Sequence, residues 1–278
     1  TVTLIDSTLR ENSALRKGGG IQMESGVLKM VNCEADSNRV VGSSTRNVCG
    51  GALAVDSSQG VAEVNIEGCL FHNNSASHAG ALAILTSSSN LASVRCQDTT
   101  FSSNHALSHG GAVMNFNNVA SSTPDSGGAF FACERCLFKD NEAQGSGVGG
   151  GLYSSMARGF LANSTFTNNQ AHRNNNADGD AIFLHGDLTL VGNVRMQGTV
   201  YCEEPGRACT HNWLRLVNWH SNTLVLPASA STETLASCSD APTICSEVLE
   251  NSRCATAPKY EEKAVGTICD TGKEITTK

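Results

Sequence analysis

Four residues about two thirds of the way along the sequence have the side chains that polysaccharide cleavage requires. Asp178 and Asp180 flank a single glycine, and His185 and Asp187 follow shortly after them. Two carboxylates held roughly 5 to 9.5 Å apart can hydrolyse a glycosidic bond, one as acid and the other as base or nucleophile. Aspartate is also a common turn former. We expect the turn role and keep these four residues as weak catalytic candidates.

A histidine pair suggests a different chemistry, metal binding. His78 and His109 each stand three residues before the small residue of a Gly-rich motif. Zinc takes at least three protein ligands, and the corresponding places elsewhere supply no consistent third one. These places hold Lys17, Cys49, Val148 and Asp178. We predict a stacked, solvated imidazole pair, with no metal and no cofactor. No Gly-x-Ser-x-Gly, Rossmann or Walker pattern indicates a nucleophile or a nucleotide site either.

The elements that would position these residues come from an internal repeat. A large apolar residue, then Asn three positions later and a small residue five positions later, recurs at spacings of 26, 36, 30, 37 and 28 residues. A Gly-rich pair with an aliphatic residue follows each copy, and apolar residues alternate with period two before it. Short strands and tight turns at this period predict a solenoid. We expect an all-β, right-handed parallel β-helix of six to seven coils, with one repeat in each coil.

Stacked coils place equivalent residues above one another about 4.8 Å apart. The large apolar residues should then fill the interior, and the asparagines should form a hydrogen-bonded ladder at a bend. The Gly-rich pair should mark a sharp turn or a close approach of two sheets. The predicted ladder contains Asn12, Asn38, Asn74, Asn104, Asn141 and Asn169.

The repeat resembles known β-helix families. Gly-Gly-Ala-(Ile/Leu/Val) paired with Phe-x-x-Asn is similar to the repeats of the chlamydial polymorphic outer membrane proteins, and more widely to pectin-lyase-like domains. The resemblance covers about residues 1–187. It implies a β-helical passenger domain that acts as an adhesin, and we do not expect the membrane barrel of that family within these 278 residues. The Gly-His-Gly and Arg-x-Lys motifs of polygalacturonase-like enzymes do not occur in this sequence.

The register of the repeat predicts two disulfides between neighbouring coils. Cys33 and Cys69 both stand two residues before the large apolar position, and Cys96 and Cys133 both stand five before it. Stacked Cα atoms fall within the range that a disulfide accepts. The alternative is that these cysteines are free, buried, small apolar residues. Cys133 also forms a Cys-x-x-Cys motif with Cys136, which has no partner pair at zinc spacing.

The repeat decays toward the C-terminus, and the sequence divides accordingly. We expect the β-helix over residues 1–200, a cap over 201–236 that contains both tryptophans, and a cysteine-rich module over 237–278. Cys202 and Cys209 should close a small loop in the cap. The last segment resembles the start of EGF-like and GCC2/GCC3 modules, which implies a disulfide-held stalk. Its cysteines, whose pairing the sequence leaves open, are Cys238, Cys245, Cys254 and Cys269.

Composition places the chain outside the cytosol and limits its partners. Twelve cysteines in 278 residues favour an oxidising, extracellular or cell-surface location. A net charge of -7 argues against nucleic acid, and no apolar run is long enough to span a membrane. Two glycosylation sequons begin at Asn73 and Asn163.

We expect the sides of the coil to carry Ser, Thr and Asn rather than clustered carboxylates and exposed aromatics. The favoured function is therefore structural or adhesive, with surface glycans or other copies of the chain as partners. The alternative is a carbohydrate-active enzyme or a glycan-binding module that uses one lateral face.

Overall fold

A computed structural model gives the fold of the chain. It describes residues 1–42, 48–86, 90–117, 128–145, 147–172, 179–191, 194–197, 200–202, 213–217, 223–225, 231–235 and 274–276. Strands that pair in parallel, coil above coil, make up most of these residues. One short 3-10 helix, Ser57–Gln59, is the single helical element among them. The predicted all-β parallel β-helix is confirmed.

A fourteen-stranded sheet covers two adjoining strips of the coil, because β20 and β23 each run through both. Strip 1 contains β4 (Ile21–Met23), β8 (Leu53–Asp56), β12 (Leu82–Thr86), β16 (Val113–Asn117), the first parts of β20 (Leu152–Ala162) and β23 (Ile182–Val191), and β25 (Val200–Cys202). Strip 2 contains β1 (Val2–Ile5), β5 (Gly26–Val31), β9 (Ala62–Glu67), β13 (Leu91–Gln97), β17 (Gly128–Glu134), the second parts of β20 and β23, β26 (Trp213–Val217) and β28 (Ser231–Leu235).

Two smaller parallel sheets complete each coil. Sheet B contains β2 (Thr8–Arg10), β6 (Glu34–Asp36), β10 (Leu70–His72), β14 (Thr100–Ser102), β18 (Leu137–Lys139), β21 (Thr165–Thr167) and β24 (Arg195–Met196). Sheet C contains β3 (Ser13–Ala14), β7 (Arg39–Val40), β11 (Ser75–Ala76), β15 (His105–Ala106), β19 (Glu142–Ala143) and β22 (Gln170–Ala171). Apart from these, β27 (Thr223–Val225) pairs antiparallel with β29 (Glu274–Thr276).

We number the coils by the seven strands of sheet B. Coil 1 contains β1–β3, coil 4 contains β12–β15, coil 5 contains β16–β19 and coil 7 contains β23 and β24. Strip 2 continues beyond coil 7, since β26 pairs with β23 and β28 pairs with β26. Parallel pairing of the backbone therefore reaches into the segment that the sequence suggests as a cap.

Left-handed residues turn the chain at three corners in coils 1 to 6. One corner precedes sheet B, one separates sheet B from sheet C, and one precedes the Gly-rich pair. At the second corner the left-handed residue is the one before each ladder asparagine, as at Asn73 and Asp140, both with φ of 55°. The ladder asparagines themselves are not among the residues with positive φ. Asn, Asp and Ser dominate these positions because their short polar side chains tolerate it.

A stack of phenylalanine rings fills the interior behind sheet B. Ring centroids lie 5.0 Å apart for Phe71 and Phe101, 5.0 Å for Phe101 and Phe138, and 4.3 Å for Phe138 and Phe166. All four side chains are essentially inaccessible to solvent. Their planes are within 17° of parallel, so each ring packs on the next coil as well as on the core.

The six asparagines of the repeat form a continuous hydrogen-bonded ladder. Each side-chain amide donates to the Oδ1 atom of the next asparagine at 2.8 to 3.0 Å. That Oδ1 atom also accepts from the backbone N–H of the preceding asparagine at 2.9 to 3.2 Å. The second amide hydrogen of each later member binds a sheet B carbonyl of the coil before. The inner members are buried with their hydrogen bonds satisfied, as a polar core group requires.

Glycine is required where the chain after sheet C passes directly over the backbone of the next coil. A Cβ atom on Gly80 would lie 2.3 Å from the carbonyl oxygen of Gly111 and 2.4 Å from the backbone nitrogen of His105. No side chain fits such an approach. The Gly-rich pairs therefore mark the close approach of two backbone layers that the sequence suggests.

Candidate functional site

The histidine pair lies at the corner between sheet C and strip 1. Isolated parallel bridges join Lys17 to Cys49 and Cys49 to His78, so these residues stack in consecutive coils. His109 follows in the next coil, with its ring centroid 5.5 Å from that of His78 and the planes at 77°. The sequence located the pair, and the structure places it in an edge contact.

The row of rings continues beyond the histidines. His109 stacks on Tyr153 at 4.8 Å, and Tyr153 stacks on Phe183 at 5.4 Å, with the planes within 18° of parallel. Half-buried Leu85 and Phe116 pack in the same outer cluster of strip 1. This side therefore carries partly buried rings in addition to the Ser, Thr and Asn that the sequence suggests. Sequence reasoning missed the row because its histidines come from a turn and its other rings from strands.

This aromatic row is a packing device rather than a sugar platform. A pyranose ring binds an aromatic side chain by stacking on its face, yet the faces of His109 and Tyr153 lie against their neighbours. Burial also lowers the pKa of His78 below its usual value, which favours the neutral imidazole. The row joins coils 4 to 7 along one side and leaves little ring face for a ligand.

Cys49 and His78 do not form a nucleophilic pair. Cys49 is 2% exposed, and burial raises the pKa of its thiol to about 12, although the charge of Lys17 acts in the opposite direction. A protonated, inaccessible thiol is chemically inert. Lys17 instead pairs with Asp56 at 2.5 Å, and both side chains are largely buried. This end of the row is held by an ion pair between coils.

The predicted catalytic acids are only partly within the described residues. Asp178 lies outside the described residues. The backbone of Asp187 pairs with Arg158, but its side chain is also outside the described part of the chain. Asp180 accepts a hydrogen bond from the backbone N–H of Ala171 at 3.0 Å. His185 is half-buried on β23. Asp180 thus fixes the turn between coils 6 and 7, which is the structural role.

A different carboxylate pair faces outward on strip 2. Glu67, Gln97 and Glu134 are in register on consecutive coils, so the backbones of the two glutamates are two strand spacings, about 9.6 Å, apart. This backbone spacing is close to the upper limit of about 9.5 Å between the carboxyl groups of inverting glycosidases. They border a shallow depression of about 310 Å³ that Lys29 and Arg95 also line.

The electrostatic surroundings of this pair do not favour acid catalysis. Glu67 is exposed, whereas a catalytic acid needs enclosed, apolar surroundings. Glu134 is held by Arg135, which also binds Asp98 through two hydrogen bonds of 2.7 and 2.9 Å. The sequence signal for the pair was weak, since both glutamates simply end strands.

All six cysteines described in the coils are buried free thiols. The Cys33 backbone N–H donates to the Cys69 sulfur at 3.2 Å, and Cys96 is directly in register with Cys133. The adjacency that both predicted disulfides need is present, while neither bond is formed in the structure. Cys202 belongs to β25, but its side chain lies outside the described residues. So do the other C-terminal cysteines, Cys209, Cys238, Cys245, Cys254 and Cys269.

The two sequons lie at left-handed corners on the outside of the coil. Asn73 is exposed and donates to the Ser37 hydroxyl at 3.2 Å, and Asn163 is half-buried. Their glycosylation stays a prediction. Among the described residues, no group of three or more His, Cys, Asp or Glu side chains is arranged to hold a metal ion. Within the same part of the chain, no helix has the length and apolar character to cross a membrane.

Comparison with known proteins gives one match. The Chlamydia polymorphic membrane protein repeat matches residues 98–115, which run from the corner before β14 to the first strand residues of β16. This segment contains Phe101, Asn104 and the Gly-rich pair at Gly110, so it is one complete set of stacking residues. No curated protein and no solved structure matches the chain.

Proposed function

We propose that this chain is a non-catalytic domain of a cell-surface protein that attaches to a partner through the sides of its β-helix. The observation that carries the proposal is the match of a Chlamydia polymorphic membrane protein repeat to the stacking segment of coils 4 and 5. The repeat is named for membrane proteins, and the resemblance implies adhesion at the cell surface. The proposed location is the cell surface, and the proposed partners are surface glycans or other copies of the chain.

The distribution of side chains supports attachment rather than catalysis. Residues that recur in every coil are used for stacking, as the Phe stack and the Asn ladder show. The outward positions of sheet C vary from coil to coil instead, which suits a surface that recognises a partner. These positions hold Ser13, Arg39, Ser75, His105, Glu142 and Gln170.

A cell-binding assay tests the proposal. The fluorescently labelled chain is added to cultured epithelial cells, and bound fluorescence is measured with and without an excess of unlabelled chain. Saturable, competable binding is expected, and heat-unfolded chain should not compete. Enzymatic removal of surface polysaccharide distinguishes a glycan partner from a protein partner, while sedimentation velocity detects self-association. Absence of both saturable binding and self-association would overturn the proposal.

The carbohydrate-active alternative rests on one observation, the Glu67 and Glu134 pair beside Arg95. If it holds, the chain cleaves an acidic polysaccharide, and Glu67→Gln and Glu134→Gln each abolish turnover. Asp180→Ala serves as the matched control, because Asp180 accepts a turn hydrogen bond instead. Reducing-sugar release and unsaturated-product absorbance measure hydrolysis and elimination respectively. Attachment predicts no turnover by any of these proteins.

A further inference from the structure

Three of the buried cysteines belong to a row of hydroxyl and thiol side chains. The row occupies the position two residues before the large core residue in coils 1 to 6. Every member donates to the carbonyl oxygen two residues earlier, at distances from 2.7 Å for Ser7 to 3.6 Å for Cys136. We call it the hydroxyl–thiol row. Its members are Ser7, Cys33, Cys69, Thr99, Cys136 and Ser164.

Sulfur and oxygen make the same contacts between coils in this row. The Cys33 backbone N–H donates to the Cys69 sulfur at 3.2 Å, and the Cys136 backbone N–H donates to the Ser164 hydroxyl at 3.1 Å. A thiol can replace a hydroxyl here because both are at once donor and acceptor. A disulfide cannot replace either, since it has no S–H group to donate.

Cys96 and Cys133 lie in a different environment. They occupy the apolar interior position that holds Met30, Ile66 and Leu161 in other coils. They are directly in register on neighbouring parallel strands, at the Cα spacing that a disulfide accepts. The Cys133 thiol is also in hydrogen-bonding contact with the sulfurs of both Cys96 and Cys136. A bond between Cys96 and Cys133 would cost only a contact between thiols.

We propose that a disulfide between Cys96 and Cys133 joins coils 4 and 5, while Cys33, Cys69 and Cys136 remain thiols as members of the hydroxyl–thiol row. This separates two pairs that the sequence register treats alike. In the reaction the two thiols each lose a proton and together lose two electrons, and one S–S bond forms. The electrons reduce a small disulfide, such as oxidised glutathione, to two thiols.

The bond must form while the coils assemble. Cys96 is 4% exposed and Cys133 is fully buried in the folded protein. Burial raises the pKa of both thiols, so little reactive thiolate is present once the coils have stacked. Refolding in the presence of oxidised glutathione should therefore form the bond, whereas adding it to the reduced, folded chain should form it far more slowly.

Disulfide mapping tests the assignment directly. The full chain is unfolded in reductant, refolded in a mixture of reduced and oxidised glutathione, alkylated in denaturant, digested and analysed by mass spectrometry. The expected result is a peptide pair linked through Cys96 and Cys133, with alkylated Cys33, Cys69 and Cys136. Alkylated Cys96 in folded protein, or a link from Cys133 to Cys136 or from Cys33 to Cys69, would overturn the proposal.

Variants provide a second readout that does not depend on the C-terminal cysteines. A phosphine reductant should lower the Tm of the wild type by roughly 5–10 °C more than that of Cys96→Ala, because it opens the loop that this bond closes. Cys33→Ser is the matched control, since serine already occupies its row in other coils, and it should respond like the wild type. Equal responses of the wild type and Cys96→Ala would contradict the proposal.

Discussion

Replacement of Asn104 by alanine tests how far the asparagine ladder stabilises the coil. The Asn104 side chain makes four hydrogen bonds in the middle of the ladder. Its Oδ1 atom accepts from the backbone and side-chain nitrogens of Asn74, both at 3.0 Å. Its amide nitrogen donates to the Phe71 carbonyl and to Asn141, also at 3.0 Å. Asn104 itself is inaccessible to solvent.

The cost of the substitution follows from the partners that it leaves. Asn141 keeps a hydrogen bond from the backbone N–H of residue 104. The two Asn74 donors and the Phe71 carbonyl each lose a partner in a dry interior. A buried polar group without its hydrogen bond costs about 1–3 kcal/mol, so Asn104→Ala should lower the free energy of unfolding by about 4 kcal/mol.

Asn12→Ala is the matched control, because it makes the same chemical change at the exposed end of the ladder. Its amide donates to the Asn38 oxygen at 2.9 Å, with water available to replace the bond. Its loss should cost about 0.5 kcal/mol. Urea unfolding followed by far-UV circular dichroism compares the two variants. A difference below about 1 kcal/mol would refute the view that the ladder, rather than apolar packing alone, holds the coils together.

Three further experiments test other rows of the coil. Gly80→Ala should lower the free energy of unfolding by more than about 3 kcal/mol, because the new Cβ atom would lie 2.3 Å from the Gly111 carbonyl oxygen. Gly20→Ala is the control, since other coils carry Ala at that position, and in the same assay it should lower the free energy of unfolding by less than about 1 kcal/mol. Phe138→Ala should cost about 4 kcal/mol through the cavity in the ring stack, and a urea midpoint equal to the wild type would contradict this. Burial raises the pKa of Cys49 from 9.0 to about 12, so the folded state holds this proton more tightly than the unfolded state. Between about pH 9 and 12, the free energy of unfolding of the wild type should therefore fall by up to about 4 kcal/mol more than that of Cys49→Ala. If the two proteins lose stability in parallel over this pH range, the Cys49 thiol does not contribute in this way.

The sequence predicted the rows in which one residue type recurs at one offset. Phe101 and Asn104 belong to such rows, and stacking at a fixed spacing turns equal offsets into contacts. The hydroxyl–thiol row was equally regular in offset, but it mixes Ser, Thr and Cys, so identity did not reveal it. The aromatic row was out of reach because His109 comes from a corner and Tyr153 from a strand. Residues at different positions in the repeat come into contact only in the folded chain.

Register alone does not distinguish the two cysteine pairs. It placed Cys33 above Cys69 and Cys96 above Cys133 as two equivalent pairs. The sulfurs differ because one pair donates to backbone carbonyls and the other lies among apolar side chains. A parallel stack fixes which residues are neighbours, while the direction of each side chain depends on whether the chain is turning or extended at that point. The proposed difference between a structural thiol and a crosslink therefore rests on the contacts of the sulfur atom rather than on Cα alignment.

The difference between recurring and variable positions indicates where attachment to a partner is expected. A residue that recurs in every coil is already committed to its neighbours above and below, so changing it alters stability before it alters recognition. The outward positions of sheet C are not restricted to one residue type in this way. His105 is followed there by Glu142, which in turn accepts from His172 at 3.0 Å and from Gln144 at 3.1 Å. Partner specificity in a β-helix is therefore expected in the rows that break the repeat, on a scaffold held rigid by the rows that keep it.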